Sequence, residues 1–385
     1  MSSRVSRISV SSHCNDLGGK VWNPAIRWTR KYAVFVEIET CDGRVGLGEC
    51  WCFDAAPDAL IAYLRTEVVP HYIGLGLDDF AVVAEALTRR ATLTARHGIL
   101  ATALSGIDIA MWDLRAQQAS RPLWARINQH GRGVAPLYCS GGLYGQDKTT
   151  ADLTDEMSGM AREGFRLSKM KVGALSIEAD VARVKSVLAA LSEDARLIID
   201  GVYSYTSDEA QRLFDMLPVE RIEAFQSPTK ACDIAGMAAL SRAGIAVMAT
   251  EAEYRDELHR QLVEEARVAF LQTAPVACGG ISRVLELGRL VAGTETRLSL
   301  EVSSSAVALM AACHLAAADD AIAHVEKHTV HRVFFDDLNL VRRPGDLFAL
   351  PDRPGLGITL RHADVSAAFS FNSPVSVNGP QEAAE

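Results

Sequence analysis

Between Lys169 and Glu326 the chain closes each of a series of short apolar runs with one or two polar residues, and the runs recur about every 25 residues. The polar ends are Lys169 and Lys171 in RLSKMKVG, Asp200 in RLIIDG, Gln226 in IEAFQSP, Glu251 in IAVMATE, Glu301 in RLSLE and Glu326 in IAHVE. Strand and helix alternating at this spacing is the rhythm of a β/α barrel, whose chemistry sits at the C-terminal ends of its strands. These residues are therefore expected to ring one mouth and face one small volume. Barrel strands fit residues 136–141, 166–172, 196–200, 221–226, 245–250, 268–273, 297–301 and 321–326, with helical runs such as EADVARVKSVLAALS between them.

The chain ahead of the barrel reads differently. Residues 1 to 55 alternate as strands, with the Asp-Gly of CDGR as a hairpin signal, and residues 56–118 show apolar positions three and four apart, the helical spacing. An α+β cap over 1–130 and a barrel over 131–334 are expected, with a Pro- and Gly-punctuated tail, 335–385, returning to the cap. A chain of 385 residues with 49% hydrophobic content has room for both.

The net charge of -9 argues against nucleic acid as a partner, because phosphate binding needs a basic patch. No apolar run reaches the length of a membrane span. The eight cysteines are scattered singly, as reduced thiols are, and Cys50 and Cys52, the one close pair, have no second pair to complete a zinc site. The N-terminus, MSSRVSRISVSSH, is Arg- and Ser-rich like a transit peptide, but its alternation favours a first strand. A cytoplasmic protein is expected.

The GLGEC strand end, SGIDIAMWDLRAQQASRPLW, GFRLSKMKVG, the CGGIS turn, CHLAAA and PDRPGLGITL together resemble the enolase superfamily, in its mandelate racemase and muconate lactonizing enzyme branch. The resemblance covers nearly the whole length. It implies a modified (β/α)7β TIM-type barrel under an α+β capping domain, and Mg²⁺ with a basic residue that removes a proton next to a carboxylate. That chemistry has a plain physical need. Removing such a proton puts a second negative charge on one group, so a cation must offset it and a lysine must be neutral to take the proton. Lys169 and Lys171, two apart on one strand, point the same way. Their repulsion is expected to lower both pKa values. Two solvated lysines on an edge strand are the plainer alternative.

The resemblance assigns Lys171 as the base, Lys169 as its neighbour at the substrate carboxylate, and Asp200 and Glu251 as metal ligands. Gln226 stands where the family has the second acidic ligand, which lowers the protein charge around the ion from three negatives to two. Ala274 fills the sixth-strand place of an aspartate or second lysine, and Glu301 that of a histidine. No His-Asp dyad remains, and a carboxyl group faces Lys171. Glu326 matches an acid that hydrogen-bonds the substrate carboxylate, a role that needs it protonated. His314 in CHLAAA reads as a core residue. Tyr203 and Tyr205 either line the pocket or cover the barrel rim. The capping loops, residues 17–31 and WCFD, would close the site. Trp22, Arg27, Trp28 and Lys31 there suit a small anion with an apolar portion, or else a contact between subunits of a homo-oligomer. The expected reaction is abstraction of the α-proton of a small hydroxy or sugar acid, followed by elimination or cycloisomerisation. The alternatives are a two-base racemase or epimerase and a degenerate barrel that binds a metabolite without turnover.

Overall fold

The computed structural model of the protein describes residues 3–52, 57–328, 341–343 and 347–373. The expected boundary at 334/335, the end of the WCFD segment, the first two residues and the tail past 373 lie outside the described residues. Eight strands, Val134–Ser140, Leu167–Lys171, Arg196–Asp200, Ile222–Gln226, Val247–Ala249, Phe270–Thr273, Arg297–Leu300 and Ile322–His328, follow one another in sequence order around a parallel sheet. The eighth pairs with the first, from Val325↔Leu137 to His328↔Ser140, and closes the barrel. Alternation divides each strand between two environments. Met170, Leu197, Ile199 and Phe225 point out to the helices, whereas Tyr138, Ile198, Ala224, Met248 and Phe270 pack together inside the barrel.

The cap is an antiparallel sheet of Val5–Trp22, Arg27–Thr40 and Val45–Cys52, with Ser366–Asn372 along the outer edge of the first strand. The helix His97–Gln118 lies on this sheet. A Cβ on Gly48 would overlap the Gly106 carbonyl oxygen, and one on Gly46 the carbonyl of Ala110. Glycine at both places lets helix and strand approach this closely, which is the physical reason for the VGLGEC run.

One expectation is corrected and another is extended. Residues 17–31 are the far end of a hairpin, in which Val21 pairs with Trp28 and Trp22 with Arg27. Asn23 makes the turn, its Oδ1 accepting from the backbone N–H groups of Ala25 at 2.9 Å and Ile26 at 2.8 Å. The tail does not go straight back to the cap: Leu347–Ala349 first pairs antiparallel with Val134–Pro136 of the barrel, and only the later strand Ser366–Asn372 joins the capping sheet. All eight cysteines are free thiols. Among the described residues no helix is long and apolar enough to cross a membrane.

His314 lies in the wholly buried helix Ala306–Ala318, where its Nδ1 accepts from the Trp124 N–H at 3.1 Å and its Nε2 donates to the Leu356 carbonyl at 3.2 Å. Both nitrogens are therefore used by a neutral ring. Burial pushes its pKa from 6.5 down to about 4. The unfolded chain takes up this proton first as pH falls, so the contribution of His314 is complete above pH 6.5 and lost toward pH 4, by roughly 3 kcal/mol. Urea unfolding at pH 7 and pH 5 should show a smaller pH-dependent loss for His314→Gln than for the parent. Equal losses would contradict this assignment.

Candidate active site

Lys171, Asp200 and Gln226 are the last residues of their strands, Glu251 and Glu301 follow theirs directly or by two, and Glu326 lies within the eighth. The parallel register brings Lys171 level with Asp200 and Asp200 level with Gln226. Lysine Nζ atoms and carboxylates then pair across the mouth. Lys169 Nζ lies 2.7 Å from Glu326 Oε1 and 3.5 Å from Asp200 Oδ2, and it donates to Gln226 Oε1 at 3.0 Å. Lys171 is paired with Asp200 Oδ2. Gln226 Nε2 donates to Glu251 Oε2 at 3.1 Å. Both lysines are buried, which removes the edge-strand reading.

These contacts set the charges. Burial alone would weaken the hold of Lys169 on its proton, but Glu326, with Tyr138, Asp200 and Glu251, outweighs it and raises the pKa well above the usual lysine value. The expected depression by lysine–lysine repulsion is thus reversed at Lys169. Burial likewise opposes ionisation of Glu326, yet Lys169 and Lys171 hold its pKa below the usual range. Glu326 is therefore ionised, not protonated as its sequence-based role required. Glu301 takes the opposite course: burial, and then repulsion by Glu326 and Glu251, drive its pKa well above the ordinary carboxylate value. Of the acids at the mouth, Glu301 is thus the one most strongly disfavoured in its charged form. Glu251 is also raised, by burial and by the nearby Asp200 carboxylate.

Asp200 and Glu251 flank Gln226 and supply two carboxylates, the donor chemistry a divalent cation takes. Gln226 turns its carbonyl oxygen to Lys169 and its amide nitrogen to Glu251, because an ammonium only donates and a carboxylate only accepts. Ligation by Gln226 therefore requires its amide to turn over, leaving Lys169 on Glu326. Among the described residues no three His, Cys, Asp or Glu side chains are grouped to hold a metal, so a divalent cation here would rest on two carboxylates, with the Gln226 carbonyl as a third donor after that turn.

The sixth and seventh strands are built otherwise. Glu301 Oε2, the Gln272 amide and the Ser299 hydroxyl are buried and have no hydrogen-bond partner among the described residues, and the same holds for the Tyr138 hydroxyl near Lys169. Gln272 shares the inward face of its strand with Phe270, and Ser299 that of Glu301. Buried polar groups left unpaired are costly, so these atoms are open to partners from water or a bound molecule, as are Ser140, Ser227 and Thr250 at the ends of other strands. Sequence reasoning missed Gln272 and Ser299, although each stands two residues before a position that it examined. Ala274 is buried beside Ala277 and Cys278, and it contributes no charge.

The cap reaches into the site at two points. Lys31 is 1% exposed, donates to the Ser303 carbonyl at 3.0 Å and is paired with the Ser303 hydroxyl. Glu49, which the sequence reading did not single out, accepts from the Ser305 hydroxyl at 2.5 Å and the Ala308 N–H at 3.0 Å, and is paired with Ser304. It caps the N-terminus of helix Ala306–Ala318. Its signal was the strand ending GLGE, which sends one acid out of the cap.

Of the other capping residues, Trp28 is buried with Lys31 Nζ 5.4 Å from its ring. Trp22 stacks at 6.5 Å on Tyr144, and the Arg27 guanidinium lies 3.9 Å over Trp22, so these two join the hairpin to the barrel rim. Tyr203 sits beside Glu251 and Ser227, on a turn where it and Val202 take φ of 62° and 47°. Tyr205 packs edge-on against Phe225 at 6.0 Å, in the main core.

Residues 26–127 match the mandelate racemase / muconate lactonizing enzyme N-terminal domain, and residues 152–365 match the enolase C-terminal domain-like family. The chain belongs to the enolase superfamily. It is 27% identical over 334 residues to the arabinonate dehydratase of Saccharolobus solfataricus, covering 85% of this chain and 88% of the relative. It is 29% identical over 373 residues to the D-galactarolactone cycloisomerase of Agrobacterium fabrum, covering 91% and 94%. Among solved structures, a mandelate racemase/muconate lactonizing enzyme-like protein from Rubrobacter xylanophilus superposes with a TM-score of 0.83 at 25% identity, covering 94% of this chain and 98% of that one.

Gln226→Glu replaces the hydrogen bond to Glu251 by a repulsion between neighbouring carboxylates. In the presence of a chelator the variant should unfold more easily, by about 1–3 kcal/mol, and added Mg²⁺ should restore it and bind more tightly than to the parent. Calorimetry and melting curves that show no change in either would place residue 226 away from the ion.

Proposed function

We propose that the chain removes the proton next to the carboxylate of a small hydroxylated acid and completes an elimination or cycloisomerisation, as a lyase or isomerase of its superfamily. The observation that carries this reading is the buried pair of lysines on one strand, Lys169 on Glu326 and Lys171 on Asp200, with the Glu301 carboxyl group at the end of the seventh strand across the mouth. Mg²⁺ would be held by Asp200 and Glu251, with Gln226 as a third donor, and when bound it supplies positive charge to the substrate carboxylate and competes with Lys171 for Asp200. Lys169, fixed by Glu326, presents a permanent positive charge for that carboxylate. Lys171 is the base. It takes the α-proton as a neutral amine.

A substrate of the sugar-acid class is supported by the arabinonate and galactarolactone relatives and by the unpaired Gln272, Ser299 and Tyr138 groups, which suit hydroxyls. A racemase is the weaker reading, because it needs a carbon base on both faces and the seventh strand offers a carboxyl group, Glu301, rather than a lysine or histidine across from Lys171. Binding without turnover is favoured by one feature, the Gln226 bridge that satisfies Lys169 and Glu251 without a metal.

Deuterium exchange separates these readings. With Mg²⁺ and a panel of hydroxylated mono- and dicarboxylates in deuterated buffer, the parent should exchange the α-proton of its substrate, and Lys171→Ala should lose exchange by at least 100-fold with its fold unchanged. Exchange retained in the variant would move the base elsewhere. No exchange by the parent on any acid of the panel would favour binding without turnover.

A further inference from the structure

The reading above leaves one buried cation without a task. Lys31 comes from the capping strand Arg27–Thr40, yet its ammonium lies at the barrel mouth, on the backbone and side chain of Ser303, two residues past Glu301. The charged groups acting on it come from four barrel strands: Glu301, Glu326, Lys171 and Glu251. From the cap itself, Trp28 lies against it. A lysine whose only task was to tie cap to barrel could stop at the rim. This one is buried at the mouth, on Ser303, two residues past Glu301.

The geometry points to Lys31 as the group that protonates the departing oxygen of the substrate, a second catalytic lysine brought to the barrel by the cap. The inference rests on the elimination or cycloisomerisation proposed above. In that step Lys171 takes the α-proton, the C–H electron pair becomes the new C=C bond, and the C–O bond breaks with its electrons on oxygen. An N–H proton of Lys31 passes to that oxygen, leaving Lys31 as a neutral amine. One buried lysine gains a charge as the other loses one, so the number of buried charges is conserved. Had Glu301 given the proton, a new carboxylate would appear between Glu326 and Glu251 while Lys171 became a cation, and two charges would have to be created in a poorly solvated site. Burial brings the pKa of Lys31 down to about 8 against the pull of the neighbouring acids, which suits an amine that both gives and regains a proton near neutral pH.

The test pairs a titration with kinetics. In protein labelled with ¹⁵N-lysine, the Nζ resonance missing from Lys31→Arg should titrate with a midpoint near 8. An ammonium that persists past pH 10 would overturn the proposal whether or not a substrate is known. In Lys31→Arg the charge and the donor to Ser303 remain, but the guanidinium does not release its proton. With the substrate found by exchange, this variant should form product at least 100-fold more slowly while exchanging the α-proton within about threefold of the parent. Product formation at the parental rate, or equal losses of exchange and product, would also overturn it. Lys31→Met serves as the second variant, and its loss of product should match that of Lys31→Arg. A parent that exchanges no acid would count against the proposed reaction, while the titration would still decide the state of Lys31.

Discussion

The structure depends on closing a set of opposed charges at the barrel mouth. Lys31, Lys169 and Lys171 face Asp200, Glu251, Glu301 and Glu326, three cations against four acids in a volume with little access to water. A surplus charge there would be expensive, because desolvation is repaid only by close partners. Lys169 pairs with Glu326 and Lys171 with Asp200, and the surplus falls on Glu301, whose charged form burial and the neighbouring acids disfavour. Gln226 fits the same scheme. A third acid at that position would add a negative charge that only a bound cation could offset, whereas the amide lets Lys169 and Glu251 share one neutral bridge.

This balance ties the two domains together. The segment Ser303–Ser305, which leads from Glu301 into the helix Ala306–Ala318, is gripped by Lys31 and Glu49 of the cap. Glu49 reaches it because Gly46 and Gly48 let the helix His97–Gln118 settle onto the strand that carries it. The glycines set the height of the cap, and the cap fixes the loop that follows Glu301.

Much of this was legible in the sequence. The strand-end residues could be read because a single Lys, Asp or Glu closing an apolar run of strand length breaks the pattern at the one place where a barrel exposes it to a shared volume. The hairpin at 17–31 was not, since its pairing depends on the Asn23 turn and on Gly18 and Gly19 absorbing an irregularity, and Gly-Gly with Asn-Pro reads equally well as loop. The protonation pattern was also hidden. Glu301 and Glu326 have similar contexts in the sequence, and only the distance of Glu326 from Lys169 separates an acid favoured in its charged form from one disfavoured in it. Lys31, Gln272 and Ser299 belong to the same class, in that their meaning comes from what the fold places opposite them.

The charge balance itself is open to direct measurement by infrared difference spectroscopy of the metal-free protein at pH 7, with Glu301→Gln as the reference. The account predicts a carbonyl-stretching band of a protonated carboxyl group in the parent, shifted in deuterated water and lost in the variant. A parent spectrum with no such band, and therefore an ionised Glu301, would contradict it.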